Sequence, residues 1–203
     1  MKTQTSSSST KINGIDTEAL RGTIAAVTKD PAQGMTYWAV ASKWRGGARS
    51  DTRPTGCTVG GKPIARDFNL SIDEPAEFCG TDKFANPQEY LLAALNACMI
   101  VTYVSYCSLE GIELEDLRIE TEGNIDLRGL FGLDPSVSAG YDQLRYTVYI
   151  KGNGTLEQFE KIHRTVMAAS PNYFNLANAV HMKPRLVIGT EKSRAANGQL
   201  AAA

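Results

Sequence analysis

An α+β fold is predicted by two observations on the sequence. Its strand-like segments are grouped instead of alternating one for one with helices, and a single long apolar helix separates the groups. No repeat of about 20–50 residues recurs, which excludes a solenoid or a propeller. The 203 residues allow one sizeable domain or two small ones. With 42% hydrophobic and 21% charged residues, the chain reads as a soluble globular protein. The 21 basic and 22 acidic residues nearly cancel, so there is no electrostatic footprint for nucleic acid. The first residues are polar and run into four serines, with no apolar core, so no secretory signal is expected. Cys57, Cys79, Cys98 and Cys107 form no CxxC pair and have no histidine close by. A cytoplasmic setting with reduced thiols is the expectation.

The elements follow in chain order. Residues 1–12 read as a disordered tail, 13–192 as one domain and 193–203 as a flexible tail. Asp16 or Thr17 caps a helix that ends at Asp30-Pro31, because the residue before proline avoids helical angles. Residues 35–44 are aromatic and β-branched and read as a strand, turned by Gly46-Gly47. Residues 48–62 read as a loop or a hairpin. Residues 63–72 alternate Ile64, Arg66, Phe68, Leu70 and Ile72 on one face of a strand. That places Arg66 on an apolar side. Either its head snorkels into water at a sheet edge, or it is a buried charge that needs an anion.

The segment 86–110 is the long helix, opened by Asn86-Pro87 and closed at Gly111. It is apolar on every face, which predicts burial. It is long enough to span a bilayer, but Asn96, Thr102, Tyr103, Ser105 and Tyr106 and the absence of a basic flank favour a soluble core helix. One sheet from a single chain cannot cover such a helix on all sides, so a second copy is expected. Residues 112–127 and 141–151 read as strands, joined by a loop over 128–140. Thr155 caps a helix to Ala169, and Ser170 with Pro171 starts a short helix to about residue 179. Residues 183–190 read as a closing strand.

No phosphate loop, nucleophile elbow, zinc-protease or dinucleotide motif is present. His163 and His181 have no second ligand at metal spacing, so neither metal nor cofactor is expected. Glu113, Glu115 and Asp116 read as a solvated strand edge. Chemistry then falls to cysteine. Cys57 and Cys79 read as incidental, and Cys107 lies nine residues past Cys98, about 13 Å along the axis and out of phase. A disulfide between those two within one helix is excluded, since it needs Cβ atoms about 4 Å apart. Composition alone leaves Cys98 open between inert core and nucleophile.

Asn86-Pro87, Glu89 and the run LLAALNAC ending at Cys98 resemble the first-cysteine motif of the OsmC/Ohr family of thiol-dependent peroxidases. The likeness continues through Gly111-Ile112, the helix after Thr155 and the break at Ser170-Pro171, covering roughly residues 35–190. It implies an intertwined homodimer, with long central helices wrapped by antiparallel sheets and a site at each subunit boundary. It implies reduction of organic hydroperoxides, with Cys98 as the nucleophile and Arg66 as the cation that lowers its pKa. The family's orienting glutamate directly follows the proline. Here that position is Gln88, and Glu89 comes one later. Ten residues of helix span about 15 Å, so Gln88 or Glu89 would have to serve Cys98 from the other subunit. The family's resolving cysteine stands where this chain has Ser170. A one-cysteine cycle is therefore implied, completed by an external thiol, by a thiol-reductant protein, or by Cys57 or Cys79 brought in by a loop. The alternative is a non-catalytic member that binds a small apolar molecule or senses oxidation at the interface. Neither nucleic acid nor membrane is an expected partner.

Overall fold

The computed structural model describes residues 11–189. Lys11–Ile12 (β1) pairs antiparallel with Ile15–Asp16 (β2), so the expected N-terminal tail is ordered from Lys11 onward. Asn13 (φ 51°) and Gly14 (φ 78°) form the turn, and both positive angles are those a two-residue hairpin of this twist demands. The Asn13 amide donates to Ser108 Oγ (3.1 Å) and to the Ile112 carbonyl (2.8 Å), while its oxygen accepts from Leu114 N–H. The hairpin is thereby fastened to the end of the long helix. Asp16 caps helix α1, Thr17–Lys29, accepting from Ala19 N–H. Arg21 donates to the Leu109 carbonyl, one of the orphan acceptors at the end of the long helix.

Thr36–Gly46 (β3) and Arg49–Val59 (β4) make a long hairpin, which decides the ambiguity over residues 48–62. Pro54 has no N–H to give the ladder, and it stands opposite Val40 beside a register shift. The opposite edge of β4 takes two short strands, Lys62–Pro63 (β5) and Leu70–Ile72 (β6). The expected continuous strand over 63–72 is therefore corrected. Beyond the Ile64 N–H, which still bonds the Cys57 carbonyl (2.9 Å), residues 64–69 lie in no strand, and their alternation matches no buried face: Ile64, Arg66 and Phe68 are all exposed.

The long helix α2 is Pro87–Leu109, with a complete capping box between Asn86 and Glu89. Gly111 follows with φ 75°. Its buried stripe is Leu95, Met99, Tyr103 and Cys107, spaced by four. Leu114–Gly123 (β7) and Leu144–Gly152 (β8) form an antiparallel pair, with Ile119 opposite Val148 and Thr121 opposite Tyr146. The expected loop between them contains a one-turn helix, Leu127–Leu130 (α3), capped by Asp126. Helix α4, Leu156–Ala169, supplies Ile162 and Val166 to the core formed by the α2 stripe, Ile112 and Ile119. Helix α5, Pro171–Ala177, ends two residues before the expected boundary.

The burial of α2 differs from expectation, while its span-like length and hydropathy match the sequence reading. It is buried on one face only: Leu91 and Val101 are 39% and 66% exposed, and Ala93, Ala94 and Ala97 are exposed as well. It also has the length and mean hydropathy (1.6) of a membrane span, with 28% of that window buried. The closing strand is likewise corrected. Residues 183–189 pair with no strand among the described residues, and Leu186 and Ile188 are over 80% exposed. Thr190 and the predicted C-terminal tail lie outside the described residues.

Asp73 is fully buried just after β6 and fixes the approach to α2. Its carboxylate accepts from the Thr81 hydroxyl and from the N–H groups of Thr81 and Lys83. Bonding to Thr81 is the main reason its pKa lies well below the ordinary carboxylate range. A depressed folded-state pKa adds stability above the unfolded value near 4, and this is lost as pH falls through the folded value. Thermal melts should therefore show acid destabilisation beginning below about pH 4, and Asp73→Asn should flatten that dependence while lowering the melting temperature at neutral pH. An unchanged acid limb in Asp73→Asn would refute the assignment.

Candidate functional site

Cys98 lies on a flank of α2, one position before the core residue Met99, and is partly exposed. The chain around it is tied on several sides. Thr102 Oγ donates to the Cys98 carbonyl (2.8 Å). Asn172 on α5 donates to the Ala94 carbonyl (2.9 Å), one turn earlier on α2. Asn96 donates to the Ile119 carbonyl and accepts from Thr121, fixing the helix against β7. The side chain that meets the sulfur is Ser170, whose hydroxyl donates to Cys98 Sγ at 3.4 Å. Ser170 is fully buried at the junction of α4 and α5.

The sequence reading takes Ser170 as the N-cap of α5. It stands at that position, but its side chain makes no capping bond. Its backbone instead joins the helices, with its N–H on the Val166 carbonyl (2.8 Å) and its carbonyl accepting from Phe174 (3.0 Å).

The other predicted residues do not converge on Cys98 within one chain. Arg66 is exposed, off any strand, with its guanidinium 5.1 Å from the centre of the Phe68 ring. The strand placement behind both readings of Arg66 is thus replaced by a cation–π contact in solvent. Glu89 accepts from Asn86 N–H at 2.7 Å, so its carboxylate serves the capping box. Gln88 lines a cleft of about 510 Å³ with Leu91, Leu95, Tyr141, Tyr173 and Leu176. Leu95 is one turn from Cys98, but Cys98 itself does not line the cleft. Cys57 is buried on β4 opposite Trp38, and Cys79 is exposed in a left-handed conformation (φ 61°). Cys107 is in the core, and burial pushes its thiol up to about 11, which keeps it neutral and inert. No group of three or more His, Cys, Asp or Glu side chains suited to a metal occurs among the described residues.

Sequence reasoning missed a polar pair inside the core. The Tyr103 hydroxyl and His163 Nδ1 are hydrogen-bonded, with Tyr146 packed against the same imidazole. Burial raises the Tyr103 pKa, so the phenol stays protonated. His163 stands three residues before the buried Val166 on α4, and that i, i+3 spacing was the available signal.

A family model described as OsmC-like protein matches residues 80–185, more than half of the chain. The chain belongs to the OsmC-like family. A 62-residue stretch of this OsmC-like chain is 39% identical to the uncharacterized protein YmaD of Bacillus subtilis (strain 168). That match spans 30% of this chain and 41% of the length of the curated relative. Among solved structures, an OsmC-like protein from Mycoplasma pneumoniae superposes with a TM-score of 0.56 at 14% identity, covering 70% of this chain and 89% of that one. A putative osmotic stress induced and detoxification response protein from Psychrobacter arcticus 273-4 gives 0.51 at 14% identity, covering 70% and 88%. At such identities the likeness establishes the shared mixed helix and antiparallel-sheet fold. The matched region contains the whole of α2, whose Leu95, Met99, Tyr103 and Cys107 stripe belongs to the core.

Proposed function

We propose that this OsmC-like protein reduces organic hydroperoxides by a thiol-dependent, one-cysteine cycle in which Cys98 is the nucleophile. The observation that carries the reading is the placement of Cys98 off the inert core stripe, with a hydrogen-bond donor on its sulfur. The thiolate attacks the peroxide, the O–O bond breaks, and an alcohol leaves after taking up a proton. Cysteine is oxidised to sulfenic acid and the hydroperoxide is reduced. One external thiol condenses with the sulfenic acid, releasing water and leaving a mixed disulfide. A second thiol exchanges it away as an external disulfide and restores Cys98. No cofactor enters this cycle, and its setting is the reduced cytoplasm.

The working unit in this reading is a homodimer. A second copy covers the bare face of α2, and Arg66 of the partner subunit supplies the cation that stabilises the thiolate. Gln88 or Glu89 of the partner subunit orients that arginine, and for Glu89 this requires release from its capping box. The test is turnover of cumene hydroperoxide with one monothiol or dithiol donor at a time, for the wild type and Cys98→Ser.

The cleft beside Gln88 and Tyr173 favours a second reading, a non-catalytic protein that holds a small apolar molecule there. Saturable binding of an apolar ligand without turnover by any donor would support it in place of the first.

A further inference from the structure

We infer that Ser170 is a positioning residue for Cys98: its hydroxyl holds the reactive sulfur, and by filling the place opposite that sulfur it leaves release of the oxidised cysteine to a small external monothiol. The inference rests on the Cys98 reading above and specifies how that site is set and how its cycle closes.

Three observations carry it. A serine at a helix N-cap ordinarily accepts from the N–H groups of the first turn, a bond whose loss costs about 1 kcal/mol. Ser170 stands at the N-cap of α5 and makes no such bond. Its hydroxyl is turned the other way, onto Cys98 Sγ at 3.4 Å. The residue is also fully buried, so no water competes for the hydroxyl, and its backbone is fixed from both sides by Val166 and Phe174. A buried donor on a sulfur stabilises the anion more than the neutral thiol. The same hydroxyl can hold the sulfenate oxygen once it forms, but it cannot make a sulfur–sulfur bond. Cys107 is about 13 Å away along the helix and is kept neutral by burial.

The external thiol therefore attacks the sulfenic sulfur: its S–H proton and the sulfenic hydroxyl leave as water, and the mixed disulfide forms. A second molecule of the same monothiol attacks that bond, taking the external sulfur with it as the oxidised disulfide and returning Cys98 as a thiol. The class of reaction that must follow is reduction of a low-molecular-weight disulfide.

Two variants and three readouts test this. Ser170→Ala should slow alkylation of Cys98 by iodoacetamide at neutral pH by about three- to tenfold. In turnover it should lower kcat with KM unchanged, while Ser170→Thr, which keeps the hydroxyl, restores the alkylation rate. Ser170→Cys should form an intramolecular disulfide with Cys98 on treatment with diamide, read as loss of both thiols and a peptide cross-link. The sulfur need only close by about 1.4 Å from the present contact to reach bonding distance. Alkylation and diamide capture need no peroxidase activity, so they stand or fall separately from the hydroperoxide reading. An unchanged alkylation rate in Ser170→Ala, or no cross-link in Ser170→Cys, overturns the positioning role. Loss of monothiol-driven turnover in Cys57→Ser or Cys79→Ser overturns the external-thiol step.

Discussion

Replacing Cys98 with serine is expected to lower hydroperoxide turnover by at least about three orders of magnitude, with any thiol donor. A serine hydroxyl is not ionised at neutral pH, whereas a cysteine held by a donor is an intrinsically strong nucleophile. The substitution is nearly isosteric at a partly exposed flank, so the melting temperature should move little. The informative control is Cys107→Ser. That thiol lies in the core, is pushed up to about 11 by burial, and takes no part in the proposed cycle. Its replacement puts a hydroxyl among apolar neighbours, so it should destabilise the fold while leaving turnover per folded molecule unchanged. The pair of variants separates a reactive cysteine from a structural one on the same helix. Turnover that survives Cys98→Ser, or a wild type inert with every donor, sinks the peroxidase reading.

The parts of the fold legible in the sequence were those set by local signals. Asn86, Pro87 and Glu89 mark the start of α2 through capping chemistry, and Gly111 marks its end through a positive φ. Thr155 with Gln158 does the same for α4. The alternation of Leu144, Tyr146, Val148 and Ile150 gave β8 because one face of that strand packs against the core cluster. Where alternation met no cover, it misled: Ile64, Arg66 and Phe68 repeat at strand spacing yet are exposed and belong to no strand. The apolar run near Leu186 failed for a related reason: residues 183–189 pair with none of the described strands, and Leu186 and Ile188 stay exposed. At the site, Cys98 and Ser170 were each visible, but their contact joins residues 72 apart in sequence. Local rules assigned the Ser170 hydroxyl to its own helix, and only tertiary packing turns it toward the sulfur. Asp73 was invisible because its partners are the hydroxyl and backbone of a loop eight to ten residues later, which has no sequence period.

Val101→Glu is expected to weaken self-association by more than about a hundredfold, converting a dimer at micromolar concentration into a monomer. The argument begins with the uneven burial of α2. Its Leu95, Met99, Tyr103 and Cys107 stripe is sealed by β7, α4 and their neighbours, while Ala93, Ala94, Ala97 and Val101 face outward. Alanines at that spacing leave little side chain between two backbones, so a second helix can pack closely along them. Trp38, Val40 and Trp44 on β3 are each more than 60% exposed, a further apolar surface that one chain leaves bare. The proposed homodimer would need a second copy on this face of α2, where the partner's Arg66 is assigned to the Cys98 thiolate. A glutamate at position 101 would have to lose its hydration in that contact with no cation beside it, a cost that a packed helix pair cannot offset. Because the proposed site needs both subunits, turnover should fall in parallel with dimer content, even though Val101 touches no reacting atom. Sedimentation or light scattering across a concentration series reads the first effect, and activity of the same samples reads the second. A wild type that is monomeric at micromolar concentration, or a Val101→Glu protein that dimerises as tightly as wild type, would show that this face of α2 is left bare for another reason.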